Sequence, residues 1–388
     1  MKILHTVEFY FPISGGAQEV VKQLSEHLAR MGHDVTVVTT KCKNRDFNSF
    51  NGVKIIEFDI SGNYVNGYKG ASKAYVDFLK KSDYDIILNY AAQQWTTDLM
   101  LPILDDIPGK KIFVPCGFSA LHKGRYADYY EKMKVWIKKY DICVYLSSSY
   151  QDYEFSLNAG ATNSVIIPNG ADEAEFLVSA GGIRKILTIP EDSLLLLHVG
   201  SHTRFKGHKE ALAIYRRSHL PNSTFLLIGN TFSKYCNNRC RLTAFCLNTF
   251  YNIFNIGKRI IITELPREQT VMAYFDADIF LFPSNIECSP IVLFEAMASG
   301  TPFLATDVGN SKEIVQYSHA GLLLPTKKFK NGYVIANVKQ SVPILENIVS
   351  SVELRDNMAS YGRELWQKNF TWLAISKKYE EIYTQVLQ

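Results

Sequence analysis

The sequence predicts two doubly wound α/β domains, each a parallel sheet covered by helices. Three observations carry this expectation. Short apolar runs alternate with stretches of helical period along most of the chain, the pattern of parallel strands joined by crossover helices. The alternation breaks once, at "IIPNGADEAEFLVSAGGIRKILTIPEDS" (residues 166–193), where proline, asparagine and glycine gather, and then resumes. A length of 388 residues also suits two domains better than one.

The first domain, residues 1–172, opens on a βαβ unit. "KILHTV" reads as a strand and "FYFPISGGA" as a glycine loop. "QEVVKQLSEHLARMG" places Val20, Val21, Leu24 and Leu28 at helical spacing and ends near Gly32, and "DVTVVTT" is the next strand. Further strands are expected at "VKIIEF", "YDIILNY", "KKIFVP" and "DICVYLS". The second domain, 173–370, restarts with "SLLLLHVG", "STFLLIGN", "RIIIT", "DIFLFPS" and "TPFLATD", and a closing helix spans 371–388. No internal sequence repeat relates the halves. Open α/β sheets bind ligands beyond the carboxyl ends of their strands, so two domains facing each other would enclose a cleft.

Composition narrows the class. The chain is 47% hydrophobic and 21% charged, as a globular protein with an ample core should be. A net charge of +4 is too mild to argue for nucleic acid. No apolar run reaches the roughly 18 to 20 residues of a membrane span. "MKILHTVEF" lacks the features of a signal peptide, and a cytoplasmic protein is expected. Cys236, Cys240 and Cys246 cluster in "YCNNRCRLTAFC", but their spacing is wider than a C-x2-C knuckle and no histidine stands close in sequence. They read as unpaired thiols, and no metal is expected.

The stretch "SNIECSPIVLFEAMASGTPFLATDVGNSKEIV" (284–315) carries the strongest chemical signal. Ser289 is placed as an N-cap and Pro290 as the first helical residue, with the helix running to Ser299 and Gly300 as its left-handed C-cap. Glu287 then stands in the loop after a strand, and Glu295 one to two turns inside the helix. The backbone N–H groups of residues 288–292 would point out of the helix start, ready for an anion. A carboxylate on each side can hold vicinal hydroxyls, and polyols flanking a phosphate describe a nucleotide sugar. A dipole-stabilising Glu287 and a solvent-facing Glu295 are the alternative. "HVGSHTRFKGHKEAL" clusters Arg204, Lys206 and Lys209 after a strand, where cations could neutralise a diphosphate. Gly15 and Gly16 would let a backbone approach the ligand from the first domain.

Together these stretches resemble the retaining GT-B glycosyltransferases of family 4, over essentially the whole chain. The E-x7-E signature "ECSPIVLFEAMASGTP" is the most specific part. "SGGAQ", "VGSHTRFKG", "IPNGADEAEF" and the closing "FTWLAISKKYEEIYTQVL" support it, the last as a helix that crosses back onto the first domain. The resemblance implies that Glu287 holds donor-sugar hydroxyls, aided by the backbone of Ser289, Pro290, Ile291 and Val292. It implies that Glu295 holds the ribose, and that Arg204 and Lys206, helped by Gly15 and Gly16, stabilise the departing diphosphate. Asn169 and Gly170 would be structural. Two positions depart from the family pattern: Ser201 stands where an arginine is usual, and Cys116 where a histidine contacts the donor sugar. The implied reaction is same-face transfer from a nucleotide-diphosphate sugar to a glycan or lipid-linked acceptor, with no metal, in bacterial surface-polysaccharide assembly. "DAD" at Asp276 to Asp278 precedes its strand and reads as a capping and turn segment. A nucleotide-sugar 2-epimerase and a catalytically silent sugar-nucleotide or glycan binder are the competing readings. No G-x-G-x-x-G follows the first strand to support a dinucleotide enzyme.

Two further segments generate expectations. "TFSKYCNNRCRLTAFCLNTFYNIFNIGK" (231–258) is long for a connection and should hold a helix packed by its apolar side on the second domain. In "HKGRYADYYEKMKVWIKKYD", Tyr126, Tyr129, Tyr130, Met133, Trp136, Ile137 and Tyr140 share one helical arc. Lys123, Arg125, Lys132, Lys134 and Lys139 border it. That face either packs on the first sheet or meets an anionic membrane, and tyrosine and tryptophan in place of leucine tilt the reading to the inner membrane face.

Overall fold

A computed structural model describes residues 1–13, 15–178 and 180–388. The chain forms two compact units, one of 1–169 with 372–388 and one of 170–371. The change of unit at Asn169/Gly170 falls three residues before the expected 172/173.

The first unit is built on an eight-stranded sheet ordered Ser164–Ile166, Ile142–Tyr145, Lys110–Val114, Ile86–Tyr90, Lys2–Thr6, Asp34–Thr40, Val53–Phe58, Ser49–Phe50. All neighbours are parallel except the last pair. Strand order reverses between Lys2–Thr6 and Ile86–Tyr90. The central strands are covered on both faces, which is why they read as nearly unbroken apolar runs. The helix Gly16–Arg30 buries Val20, Val21, Leu24 and Leu28 as its spacing required. A small antiparallel hairpin, Ile60–Asn63 with Gly67–Gly70, was not foreseen.

The closing helix, Trp372–Leu387, belongs to this unit. Its anchor is a polar contact inside the core. The fully buried His5 imidazole bonds Ser25 Oγ at 2.8 Å and Tyr383 OH at 3.1 Å. Burial pushes its pKa down to about 3, so the ring is neutral. His33 Nε2 meets Glu380 at 2.7 Å on the same helix.

The aromatic helix corrects the sequence reading. It runs Ala127–Trp136 and continues as a tight turn, Ile137–Lys139. Tyr126, Tyr129, Tyr130, Met133, Ile137 and Tyr140 are buried in the first unit's core, and Trp136 packs against them. No aromatic face is left for a membrane. The tyrosines are there because this core is partly polar: Tyr129 OH donates to Asp98 Oδ1 at 2.8 Å and Tyr140 OH to Asn89 Oδ1 at 2.8 Å. Three of the five bordering cations are ion-paired as well. Lys132 meets Asp128 at 2.9 Å, Lys134 meets Glu131 at 2.7 Å, and Lys139 pairs with Asp105. No helix among the described residues is long and apolar enough to cross a membrane.

The second unit has six parallel strands in the order Lys258–Thr263, Ser223–Ile228, Leu194–Val199, Ile279–Phe282, Phe303–Thr306, Gly321–Leu324. In chain order this is 3-2-1-4-5-6, the doubly wound dinucleotide-fold arrangement. The long segment 231–258 forms the helix Lys234–Ile253, with Ser233 capping it through Cys236 N. Cys240, Ala244 and Tyr251 face inward as expected. Asn248 exchanges two hydrogen bonds with the backbone of Ile260 (2.9 and 2.8 Å), so the helix covers the edge strand. "DAD" is structural: Asp276 Oδ2 accepts from the N–H of Gly182 (2.8 Å) and Arg184 (3.0 Å), and Asp278 Oδ2 from Leu195 N (2.8 Å).

The polar core of the first unit gives a pH-dependent expectation. Burial raises the pKa of Asp98 to about 6, against three donors: Tyr64 N, Gln93 N and Tyr129 OH. Because its folded pKa lies above the unfolded one, this group's contribution to stability falls as pH rises from about 4 to about 6 and is flat beyond. Tyr129→Phe removes one donor from a carboxylate that is ionised above that window. Urea denaturation should show a loss of about 1–3 kcal/mol at pH 8 and a smaller loss at pH 5, where the carboxyl is protonated. Equal losses at both pH values would contradict this account of the network.

Candidate functional site

In the second sheet the order reverses between Leu194–Val199 and Ile279–Phe282, and two loops leave their carboxyl ends side by side. Residues 200–207 form one and 283–290 the other. They are joined at Phe205 O, which accepts from Asn285 N at 2.8 Å, with Ser284 Oγ 3.1 Å away. Gly207 makes the approach feasible. Its φ is +69°, and a Cβ there would stand 1.8 Å from Pro283 O.

This approach brings Lys206 onto Glu287. Lys206 Nζ donates to Glu287 Oε1 at 2.7 Å, and Ser284 Oγ donates to the same oxygen at 2.7 Å. The carboxylate is 11% exposed and the lysine 29%. The loop beneath is fixed from the other side. Asn310 N donates to Cys288 O at 2.9 Å, and a Cβ on Gly309 would lie 2.3 Å from that oxygen. A cation and an anion are therefore held at the switch point, the place where this fold takes ligands.

Glu295 lies inside the helix Ile291–Ser299 and is buried. It does not face solvent. Arg267 Nη2 meets its Oε1 at 2.7 Å and Glu175 Oε2 at 2.6 Å, so one guanidinium bridges two carboxylates. Sequence reasoning missed Arg267 and Glu175. Arg267 merely opens the helix Arg267–Asp276 after a proline, and nothing local ties it to Glu295.

Other expected residues are placed differently. Ser289 is not the N-cap: Pro290 occupies that position with ψ 111°, and the helix starts at Ile291. The Ser289 hydroxyl instead accepts from Asn310 Nδ2 at 2.9 Å. Proline has no N–H, so Ile291 and Val292 are the first-turn donors that lack intrahelical partners. Gly300 is the left-handed C-cap as read. Arg204 turns away from the Lys206–Glu287 pair. Its backbone has φ +76°, and its guanidinium lies 4.7 Å from the Tyr235 ring. It lines a cavity of about 470 Å³ that includes Arg216, Tyr235 and Asn285 but neither member of the pair.

Gly15, Gly16 and Cys116 belong to the first unit. Gly16 starts its helix with no heavy atom within 4 Å of where a Cβ would stand. Cys116 has φ +58°, and its loop is pinned by Gly117 N to Asp152 Oδ2 at 2.8 Å and by Gln151 Nε2 to Gly117 O at 2.7 Å. Sequence reasoning also passed over Glu8, which follows the strand Lys2–Thr6 at this sheet's own switch point. Burial, then the Asp98 charge, lift its pKa to about 7, a value suited to exchanging a proton with a hydroxyl ligand.

Two substitutions separate the roles of the ion pairs. Arg267→Met leaves Glu295 buried without its cation. The arginine is 45% exposed, so water screens part of the loss, and chemical denaturation should show about 1–2 kcal/mol. Lys206→Met leaves Glu287 with Ser284 alone and should cost at least as much stability, and unlike Arg267→Met it should weaken binding of a nucleoside diphosphate by about tenfold or more, measured by calorimetry. Undiminished binding would remove Lys206 from the anion site.

Comparison with known proteins agrees with this architecture. Residues 181–365 match the family described as glycosyl transferases group 1, and 14–175 match glycosyltransferase family 4. The N-acetyl-alpha-D-glucosaminyl L-malate synthase of Bacillus anthracis is 22% identical over 97% of this chain and 96% of its own. Sucrose-phosphate synthase from Thermosynechococcus elongatus superposes with a TM-score of 0.78 at 20% identity, covering 99% of this chain and 98% of that one. Anabaena HepE in complex with UDP-glucose gives 0.72 at 14% identity, covering 99% and 100%. With both matches in place, and a second unit whose strand order and E-x7-E helix fit them, the chain belongs to the group 1, family 4 glycosyltransferases and has their GT-B α/β fold.

Proposed function

We propose that the protein is a retaining glycosyltransferase. It moves a sugar from a nucleotide-diphosphate sugar to a glycan or lipid-linked acceptor, in the assembly of a bacterial surface polysaccharide. The observation that carries the donor site is the Lys206–Glu287 contact at the switch point, 2.7 Å long and backed by Ser284. HepE, with UDP-glucose bound on the same fold, supports the nucleotide-sugar class.

The chemistry follows from what each group can do. An entering diphosphate competes for the Lys206 ammonium and frees Glu287 to accept hydrogen bonds from the sugar hydroxyls. The Ile291 and Val292 N–H groups add partial positive charge at the helix start. Glu295 shares its carboxylate between Arg267 and the ribose hydroxyls. As the donor's C1–O bond breaks, its electron pair goes to the β-phosphate oxygen, where Lys206 stabilises the growing charge. The acceptor oxygen bonds C1 on the same face and passes its proton to the departing phosphate. The positive charge this requires comes from the chain itself, so the reaction needs no added metal ion.

Incubation with a panel of UDP- and GDP-sugars and candidate acceptors tests the reading. Nucleoside diphosphate should be released only when an acceptor is present, and the product should keep the donor's anomeric configuration. Turnover should persist without added magnesium or manganese and after brief EDTA treatment. Glu287→Ala should nearly abolish it with the fold intact. Sugar interconversion without an acceptor would establish an epimerase instead. Binding without turnover would establish a silent binder, and an inverted product would contradict retention.

A further inference from the structure

We infer that His202, His208, Cys236 and Cys240 form a closed structural zinc site in the second unit. Their four ligand atoms lie within 4.8 Å of one another, and three of the residues are buried. The histidines come from the loop after Leu194–Val199 and the start of the next helix. The cysteines come from the first two turns of Lys234–Ile253. No local motif announces the site, because the two halves are 28 residues apart in sequence and meet only in the fold. Each half nonetheless has ligand spacing, H-x5-H and C-x3-C, within the range of zinc sites.

One ligand pair already stands at tetrahedral spacing. Zinc–sulfur and zinc–nitrogen bonds of about 2.3 and 2.0–2.1 Å place S and N about 3.6 Å apart across a tetrahedron. Cys236 Sγ and His208 Nδ1 are 3.6 Å apart. His208 is oriented for the task. Its Nε2 lies 3.1 Å from Gly200 O, and a carbonyl can only accept, so the proton is on Nε2 and Nδ1 presents its lone pair to the cluster. His202 supplies independent evidence. It is fully buried, and neither ring nitrogen has a hydrogen-bond partner. Burying an unsatisfied imidazole is costly, and coordination by one nitrogen would relieve it.

Two thiolates and two imidazoles select zinc among common divalent ions, and four protein ligands leave no open position for catalysis. Binding releases the two thiol protons to solvent and leaves a neutral centre. The ion ties the turn 202–208 to the helix Lys234–Ile253. Because His202 and His208 bracket Lys206, it fixes the segment that carries that lysine. This inference stands on the four ligands alone and does not depend on the proposed reaction.

Elemental analysis of the purified full chain, after one equivalent of zinc and desalting, tests it. Zinc should be stoichiometric in the wild type and in Cys246→Ser, whose exposed thiol sits on the same helix outside the cluster. It should be lost in Cys236→Ser, Cys240→Ser and His202→Asn. Should those variants fail to fold, the wild type decides: cobalt in place of zinc should give the visible bands of a tetrahedral centre with thiolate-to-cobalt charge transfer. Removing the ion with a strong chelator should lower Tm. Metal-free protein after loading, cobalt without thiolate charge transfer, or zinc that survives the cysteine substitutions would each overturn the site.

Discussion

The second unit is organised by the close approach of two loops at the point where its strand order reverses. Parallel strands wound outward from Leu194–Val199 in both directions leave a gap at their carboxyl ends, and the loops 200–207 and 283–290 must share it. They can do so because Gly207 has no side chain to meet Pro283 O and Gly309 none to meet Cys288 O. With the backbones in contact, Phe205 O accepts from Asn285 N, and Ser284 Oγ is left to donate to Glu287. Lys206 then has one carboxylate within reach. The ion pair is thus a consequence of backbone geometry.

The pairing of Lys206 with Glu287 has a physical basis. A partly buried ammonium without a partner, or a carboxylate without one, would carry a large desolvation cost. Paired, both remain charged and oriented in the free protein. The same logic holds at Glu295, where Arg267 and Glu175 make a three-membered array, and in the first unit, where Asp98 is satisfied by two N–H groups and a tyrosine. In each case the buried charge is tolerated because donors surround it. The inferred zinc centre would extend that pattern to His202, whose ring otherwise has no partner.

What could be read from the sequence divides along this line. Strand and helix positions follow from local periodicity, and Gly300 as a left-handed cap follows from glycine's backbone freedom; both were legible. So was the E-x7-E spacing, since a loop glutamate and a helix glutamate keep fixed positions relative to one helix start. The rest depends on contacts between distant segments. Arg267 reaches Glu295 from 28 residues upstream, and the histidines meet the cysteines across the strand Ser223–Ile228. Arg204 could not be aimed without its positive φ, which turns it to Tyr235. The tyrosines of 126–140 misled because an aromatic, basic-edged helix has the same periodicity on a membrane as on a polar core. Only the buried partners, Asp98 and Asn89, distinguish the two.

If the reading of the site is right, the sugar diphosphate binds at the switch-point pair. A crystal structure of the protein with UDP-glucose tests it most directly. Diphosphate oxygens should lie on Lys206 Nζ and at the N–H groups of Ile291 and Val292, with sugar hydroxyls on Glu287. A diphosphate bound instead in the neighbouring cavity, between Arg204, Arg216 and Tyr235, with the Lys206–Glu287 contact still closed, would contradict it.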